Sequence, residues 1–154
     1  MCNDEGKCAP LIWKSKTIQQ VCKSVKSAET RSLEKGMEDG IYLARTIQEI
    51  YGLHKIIPVV VNTDSKTLYD SLTSTKRVEE KTIRHLVAWM KQQVEEEKTV
   101  EKVNWVASDE QIADVFTKKN VKTLPILNVV TSGNIKVQNH SLEIEAKNDS
   151  NFKK

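Results

Sequence analysis

The stretch IIPVVVNTDSKTLYDSL, residues 56–72, decides the fold predicted for this chain. Five of the eight residues from Ile56 to Thr63 are isoleucine or valine. Such a short β-branched run, bounded by turn residues, predicts a strand buried on both faces. Asp64 follows at the carboxyl end of that strand, and Leu68 and Leu72 lie four apart on one face of the next helix. A strand that leads directly into a helix is typical of an α/β fold.

Asp64 has two interpretations. Aspartate is a good N-cap, so this side chain could serve only to begin the helix. It also lies at the carboxyl edge of a buried strand, where open α/β sheets place their functional groups. The stretch alone favours the cap, and the second interpretation needs further acidic residues that fold to the same place.

The composition restricts the class of protein. At 154 residues, 38% hydrophobic and 29% charged, the chain is long enough for one domain but short for two. A formal net charge of +3 permits a nucleic-acid partner without requiring one. The cysteines, Cys2, Cys8 and Cys22, are odd in number and lack zinc-ligand spacing, which favours reduced thiols. Because no apolar run reaches the roughly 18 residues of a membrane span and no signal-peptide core is present, we expect a cytoplasmic or nuclear, intracellular protein with no membrane partner.

The first long helix is predicted to begin after Ser24 and to end near Gly52. Its apolar residues recur at intervals of three to five: Val25, Ala28, Leu33, Met37, Ile41, Ala44, Ile47 and Tyr51. Glu29 lies beside this stripe, where it is either a solvated acid or a functional carboxylate. Gly36 and Gly40 share a face, and each costs roughly 1 kcal/mol relative to alanine, so they indicate close packing or a weakened helix.

A second strong helix carries Ile83, Leu86, Val87, Met90 and Val94 at the helical period. A basic cluster precedes it, made of Lys76, Arg77, Lys81 and Arg84, and three glutamates crowd its end. This order opposes the helix macrodipole, so helix stability does not explain it. The basic cluster is either a phosphate-binding surface or an ordinary solvated face.

Two further strands are predicted. The apolar stretch Cys8–Trp13 is expected at the edge of a sheet, because Pro10 lacks an amide hydrogen. The stretch Val100–Val106 has the β-branched and aromatic content of a strand.

The last part of the chain predicts two helices and a tail. Ser108 and Gln111 form a capping box that begins a helix, with Asp114 in its second turn. Residues 121–133 have a weak apolar pattern that predicts a short terminal helix stopped by a glycine. Residues 134–154 are polar and aperiodic, so we expect a domain over residues 1–133 followed by a disordered tail over residues 134–154.

Three acidic residues have similar positions relative to these elements. Glu29 is early in a helix, Asp64 ends a strand and Asp114 is early in a later helix. Each alone is explained as well by solvation. Carboxylates that fold together without bases nearby are what paired Mg²⁺ ions require. The ordered spacing of the three therefore predicts a shared site.

Three motifs strengthen this prediction. Residues 11–30, LIWKSKTIQQVCKSVKSAET, fit a W-K-S-K and S-x-x-x-A-E pattern, and residues 61–65, VNTDS, fit a strand followed by D-S or D-N. Residues 105–118, WVASDEQIADVFTK, fit V-x-T-x-x-Q-x-A-D-x-L-T-K, with Ala113, Asp114, Thr117 and Lys118 in place. Over residues 11–133 the chain thus resembles the ribonuclease H domain of copia-like retrotransposon Pol polyproteins.

The resemblance implies an α/β, ribonuclease H-like fold with a mixed sheet and flanking helices. It also implies a catalytic and metal-binding set in which Glu29 and Asp64 bind one Mg²⁺ and Asp114 helps to hold the second. In the family these ions activate a water that attacks the RNA of a DNA·RNA hybrid, and they stabilise the leaving 3′ oxygen. The implied partners are such a hybrid and the upstream reverse transcriptase region of the polyprotein.

The family's set contains a fourth acid, on the first strand, that bridges both metals. This chain supplies no such acid and also lacks the family's first two strands. We therefore expect an incomplete, N-terminally truncated domain that is inactive as the isolated chain, whose remaining strands do not form one continuous sheet.

Two other functions remain open. A non-catalytic nucleic-acid-binding or assembly module of a retroelement polyprotein would use the basic cluster, and it predicts salt-sensitive binding to a hybrid. A helical interaction protein would leave all three acids solvated.

Overall fold

The described part of the chain forms helices and two strands. The computed structural model describes residues 7–108, 111–116 and 124–133. The elements in order are α1 (Val25–Tyr51), β1 (Val59–Thr63), α2 (Lys66–Thr73), α3 (Arg84–Glu95), β2 (Val100–Trp105), a 3₁₀ helix (Ile112–Phe116) and α4 (Leu124–Ser132). The predicted α/β class is confirmed at this level.

The sheet of the described residues is one parallel pair, β1 and β2. Val61 lies opposite Val103, and Asn62 lies opposite Asn104. The Asn104 side-chain amide donates to Asn62 Oδ1 at 3.1 Å, which ties the two strands together through their side chains. The mixed sheet that the resemblance implies is therefore not present in the described part of the chain.

The strand predicted over Cys8–Trp13 is not formed. Only Cys8 makes a strand-like contact, donating its backbone N–H to Gly133 O at 2.6 Å, and residues 9–19 form no regular structure. A strand needs a neighbour for its backbone groups as well as apolar composition, and Pro10 offers no amide hydrogen.

Helix α1 begins and ends where the sequence predicts. Ser24 Oγ accepts from Ser27 N–H at 2.9 Å, and Gly52 ends the helix at a φ of 60°, which glycine adopts without strain. The middle of the predicted stripe is buried, whereas Val25 and Tyr51 at its two ends are exposed. Helix α1 has 27 residues, so at roughly 1.5 Å per residue it extends beyond a five-residue strand.

The hydrophobic core lies between α1, α2, α3 and one face of the sheet. Val59 and Val61 of β1 pack against a cluster of buried residues: Leu33, Met37, Ile41, Leu68, Val78, Ile83, Leu86, Val87, Met90 and Val100. The core-facing residues predicted for α2 and α3 all belong to this cluster or pack against it. Val60 alternates to the opposite face and is 43% exposed.

Two helix predictions need correction at their starts. Ser65, rather than Asp64, is the N-cap of α2, and it makes no side-chain cap hydrogen bond. The helix expected after Ser108 is a 3₁₀ helix of five residues, and Asp114 lies in its first turn. A capping box stabilises a helix start but does not determine how many turns follow, which depends on packing.

Several predictions concern residues near or beyond the described ranges. The terminal helix is confirmed as α4, followed by Gly133 at a φ of 72°. The tail over residues 134–154, Thr117 and Lys118 lie outside the described residues.

Cys22 has a free thiol, but Cys8 is disulfide-bonded, so the expectation of reduced thiols is wrong at Cys8. No helix in the described part of the chain is long and apolar enough to span a membrane.

Candidate functional site

Asp64 lies at the carboxyl end of the sheet, as the sequence predicts. It follows β1 directly, and its backbone carbonyl accepts from the indole N–H of Trp105, the last residue of β2, at 3.2 Å. Thr63 is buried beside it, and its hydroxyl oxygen accepts from Ser65 N–H at 3.2 Å. The backbone around Asp64 is therefore held by both strands, while the half-buried side chain can reach solvent.

A lysine also lies at this end of the sheet. Lys66 Nζ lies 5.2 Å from the centre of the Trp105 ring, in cation–π range. The same nitrogen is 3.8 Å from Asp70 Oδ1, one helical turn along α2. Both interactions are exposed to solvent, so each contributes at most about 1 kcal/mol. The carboxyl end of the sheet thus presents a cation as well as a carboxylate.

Glu29 lies in the second turn of α1 and is half-buried. A Cβ placed on Gly40 of α1 would be 3.3 Å from Val59 Cγ1 at the start of β1. Lys26, three residues before Glu29, donates from Nζ to Ser71 Oγ of α2. The approach of Glu29 to Asp64 stays a prediction.

Asp114 belongs to the segment that follows β2. Val106 N–H donates to Thr63 O at 2.9 Å, so the chain leaves β2 at the same end of the sheet. The 3₁₀ helix begins six residues later, and within it Asp114 N–H donates to Gln111 O at 3.2 Å. The Asp114 side chain is half-buried.

The three acids do not form a metal site in the structure. Three carboxylates are chemically suited to Mg²⁺, which prefers oxygen ligands. Among the described residues, however, no three Asp, Glu, His or Cys side chains are close enough together to hold a metal ion, and this includes Glu29, Asp64 and Asp114. The Mg²⁺ site therefore stays a prediction.

The basic cluster divides into an exposed part and a structural part. Lys76, Arg77 and Lys81 are exposed in the loop between α2 and α3. Arg84, the first residue of α3, donates from Nε to Val78 O at 3.0 Å and from Nη2 to the backbone oxygen of Glu79 at 3.4 Å. The guanidinium of Arg84 holds this loop, so the three other basic residues are better placed to contact a phosphate backbone.

An apolar groove that the sequence analysis did not predict lies beside β1. It has a volume of about 790 Å³ and is lined by Val60, by α1, by the 3₁₀ helix and α4, and by residues 8–14. Trp13 stacks on Phe116 across one wall, with ring centres 5.9 Å apart and planes 6° from parallel. The signals in the sequence were the apolar run Leu11–Trp13, which pairs with no strand of the described residues, and the helical glycines Gly36 and Gly40.

Comparison with protein families, with curated proteins and with solved structures finds no match to this chain.

Proposed function

We propose that this chain is a fragment of a retrotransposon ribonuclease H domain, a family that hydrolyses the RNA of DNA·RNA hybrids with Mg²⁺. The observation that carries the proposal is the position of Asp64. It follows a parallel strand at the carboxyl end of the sheet, and Glu29 lies in the second turn of α1, whose buried residues pack with Val59 and Val61 of this strand. The motif that contains Asp114 leaves β2 at that end.

The isolated chain should be inactive. It supplies three candidate acids, and they are not grouped in the described structure. In a reaction that depends on electrostatic stabilisation, removal of a single stabilising group already costs about 10²-fold or more in rate. We therefore expect no Mg²⁺-dependent cleavage of a labelled DNA·RNA hybrid by the 154-residue chain.

The family assignment has a separate test. A version extended at its N-terminus by two strands, the first carrying an aspartate, should cleave the hybrid in Mg²⁺. The matched variant Asp64→Asn should abolish that cleavage, whereas Asp70→Asn, an exposed acid of α2, should not. If the extended protein folds with a larger sheet and still does not cleave, the assignment is wrong. If the 154-residue chain itself cleaves the hybrid and Asp64→Asn abolishes this cleavage, the expected inactivity is wrong but the family assignment is not.

A second function, a non-catalytic nucleic-acid-binding module, is favoured by the exposure of Lys76, Arg77 and Lys81. No ion pair to these three side chains is present in the part of the chain that the structure describes. Three phosphate contacts would give a slope of about −2 to −3 in a plot of log affinity against log salt concentration.

Replacement of Lys76, Arg77 and Lys81 by glutamate should remove most of this salt dependence. Mg²⁺ should not change the affinity for the hybrid. Lys98→Glu together with Lys102→Glu, at exposed positions near and on β2, is the control. Phosphate contacts weaken binding measurably between about 50 and 200 mM salt. An affinity for the hybrid that stays constant over this range would exclude this function.

A further inference from the structure

The loop between α2 and α3 is exposed over only a short stretch, residues 75–77, which includes Lys76 and Arg77. Ser74, directly before this stretch, is half-buried and is the C-cap residue of α2. Val78, directly after it, is buried and belongs to the hydrophobic core cluster. The two exposed basic residues therefore lie between two points at which the fold holds the chain.

Both of these points are bound by cationic side chains of α3. Lys91 donates from Nζ to Ser74 O, a contact between residues 17 apart in the sequence. Arg84 donates from Nε to Val78 O at 3.0 Å and from Nη2 to the backbone oxygen of Glu79 at 3.4 Å. Hydrogen bonds from a charged donor are stronger than those between neutral groups. The backbone is thus fixed to α3 on both sides of the exposed stretch.

The acidic residues of the loop are not paired with its basic residues. Glu80 accepts from the Ser24 hydroxyl at Oε2, at 2.9 Å, and from the Thr82 hydroxyl at Oε1, at 3.0 Å. The first of these bonds also ties the loop to the start of α1. In the described part of the chain, neither Glu79 nor Glu80 forms an ion pair with a basic side chain of the loop.

We propose that Lys91, together with Arg84, is a positioning residue of a phosphate-binding loop. These two side chains hold the backbone on both sides of Lys76 and Arg77, so a nucleic-acid backbone meets a loop that is already ordered. Ordering a mobile loop on binding lowers affinity, and a loop that is held in advance avoids this cost. The inference rests on the second proposed function, nucleic-acid binding, and is independent of the nuclease assignment.

Removal of the Lys91 ammonium tests the effect on binding. Lys91→Met keeps an unbranched side chain with good helix propensity but cannot donate to Ser74 O. Affinity for a fluorescein-labelled DNA·RNA hybrid, measured by fluorescence anisotropy, should fall about threefold to tenfold. The dependence of log affinity on log salt should keep its slope, because the phosphate contacts remain. In Lys76→Met, which removes a contact, the slope should become shallower by about one.

Three control variants separate position from charge and from general stability. Lys91→Arg can still donate to Ser74 O and should retain the affinity for the hybrid. Lys102→Met removes an exposed lysine of β2 and should have no effect. Val94→Ala trims a side chain of α3 that packs against the core away from the loop, and it should lower stability but not affinity.

Trypsin cleavage tests the loop without nucleic acid. The peptide bond after Arg77 joins it to the buried Val78, so trypsin should cleave there only when the loop opens. Cleavage at this bond, followed by mass spectrometry, should be about tenfold faster in Lys91→Met than in the unmodified chain. Lys102→Met should be cleaved at the unmodified rate.

The other outcomes identify which step is wrong. Unchanged cleavage in Lys91→Met would show that Lys91 does not hold the loop, and faster cleavage with unchanged affinity would show that holding it does not assist binding. A slope that becomes shallower in Lys91→Met would show that Lys91 itself contacts phosphate. Each of these results overturns the inference but not nucleic-acid binding. Failure of the unmodified chain to bind the hybrid at low salt would overturn that function and the inference together.

Discussion

The two faces of β1 differ in how completely they are covered. On one face, Val59 and Val61 pack against the buried cluster between α1 and α3. On the other, Val60 is 43% exposed and lines the apolar groove, although its side chain is as apolar as those of its neighbours. The valines of β1 therefore pack into a core on one face of the strand and line a solvent-accessible groove on the other. Apolar composition alone does not tell which face of a strand will be covered.

The largest expected difference between the two faces is in stability. Met90 is fully buried in the core, and Met90→Ala should lower the free energy of unfolding by about 2–5 kcal/mol, because it leaves a cavity. Val60→Ala on the groove side should cost less than about 1 kcal/mol, because the side chain is already partly solvated. Urea denaturation followed by circular dichroism measures both. Equal losses would show that the groove side is packed like the core.

The next effect concerns the polar pair within the sheet. Asn104 is buried and its amide donates to Asn62 Oδ1. Asn104→Ala should cost about 0.5–1.5 kcal/mol, since it removes the hydrogen bond while the exposed Asn62 can bind water instead. A double-mutant cycle with Asn62→Ala, measured by the same denaturation, should give a coupling of about 0.5–1.5 kcal/mol. Additive losses would mean that the pair does not join the strands.

A smaller effect is expected at the groove wall. Trp13 and Phe116 stack although both are exposed, and their coupling should be about 0.5–1.5 kcal/mol. A double-mutant cycle with Trp13→Ala and Phe116→Ala tests this. The tryptophan fluorescence, to which Trp13 contributes together with Trp89 and Trp105, should change in Phe116→Ala and remain constant in the exposed control Tyr51→Ala. No change in Phe116→Ala would show that residues 8–14 do not rest on the 3₁₀ helix in solution.

The smallest effect is a pH dependence at the rim of the groove. The Lys14 ammonium, 2.7 Å from Asp39 Oδ2, lowers the pKa of that carboxyl from its ordinary value of 3.8 by its hydrogen bond. Because the folded-state pKa is depressed, the ion pair stabilises the fold above pH 3.8, and this contribution is lost as pH falls through the folded-state pKa.

Both side chains of this pair are more than a third exposed, so the contribution should stay below about 1 kcal/mol. The free energy of unfolding, measured from pH 2 to pH 7, should differ between the unmodified protein and Asp39→Asn only at pH values above the folded-state pKa of Asp39. The difference should shrink in high salt, which screens the pair. A constant difference across the whole pH range would contradict the assignment.

The regular elements could be predicted because their signals are local. Ser24 and Gly52 mark the ends of α1 through hydrogen bonds and a backbone angle within a few residues of each end. The periodicity of α3 identified its buried residues, since one face of a helix is defined by residues three and four apart.

The predictions that failed depended on distant partners. Cys8–Trp13 has the composition of a strand, but no neighbouring strand pairs with it in the described structure. The cap of α2 moved from Asp64 to Ser65, and the helix with Asp114 is a short 3₁₀ helix, because packing selects among nearly equal local solutions.

For the candidate site, the sequence predicted the position of a residue along the chain better than the distances between side chains. The position of Asp64 after β1 follows from the local pattern, and the resemblance to a ribonuclease H domain pointed to Glu29 and Asp114 as its companions. Whether three carboxylates from distant segments meet is a question of side-chain distances, and in the described residues they do not form a group that could hold a metal ion. The basic cluster shows the same limit, because only the folded loop reveals that Arg84 binds backbone oxygens.

The amino-acid sequence by itself determined α1, α3, the two strands and the core-facing residues of α2 and α3, because capping and periodicity act over a few residues. Only the tertiary structure decided that β1 and β2 pair in parallel, that an apolar groove lies beside β1 and which polar groups find partners. These features arise where segments far apart in the chain come together or fail to do so, and no local pattern encodes the distance between them.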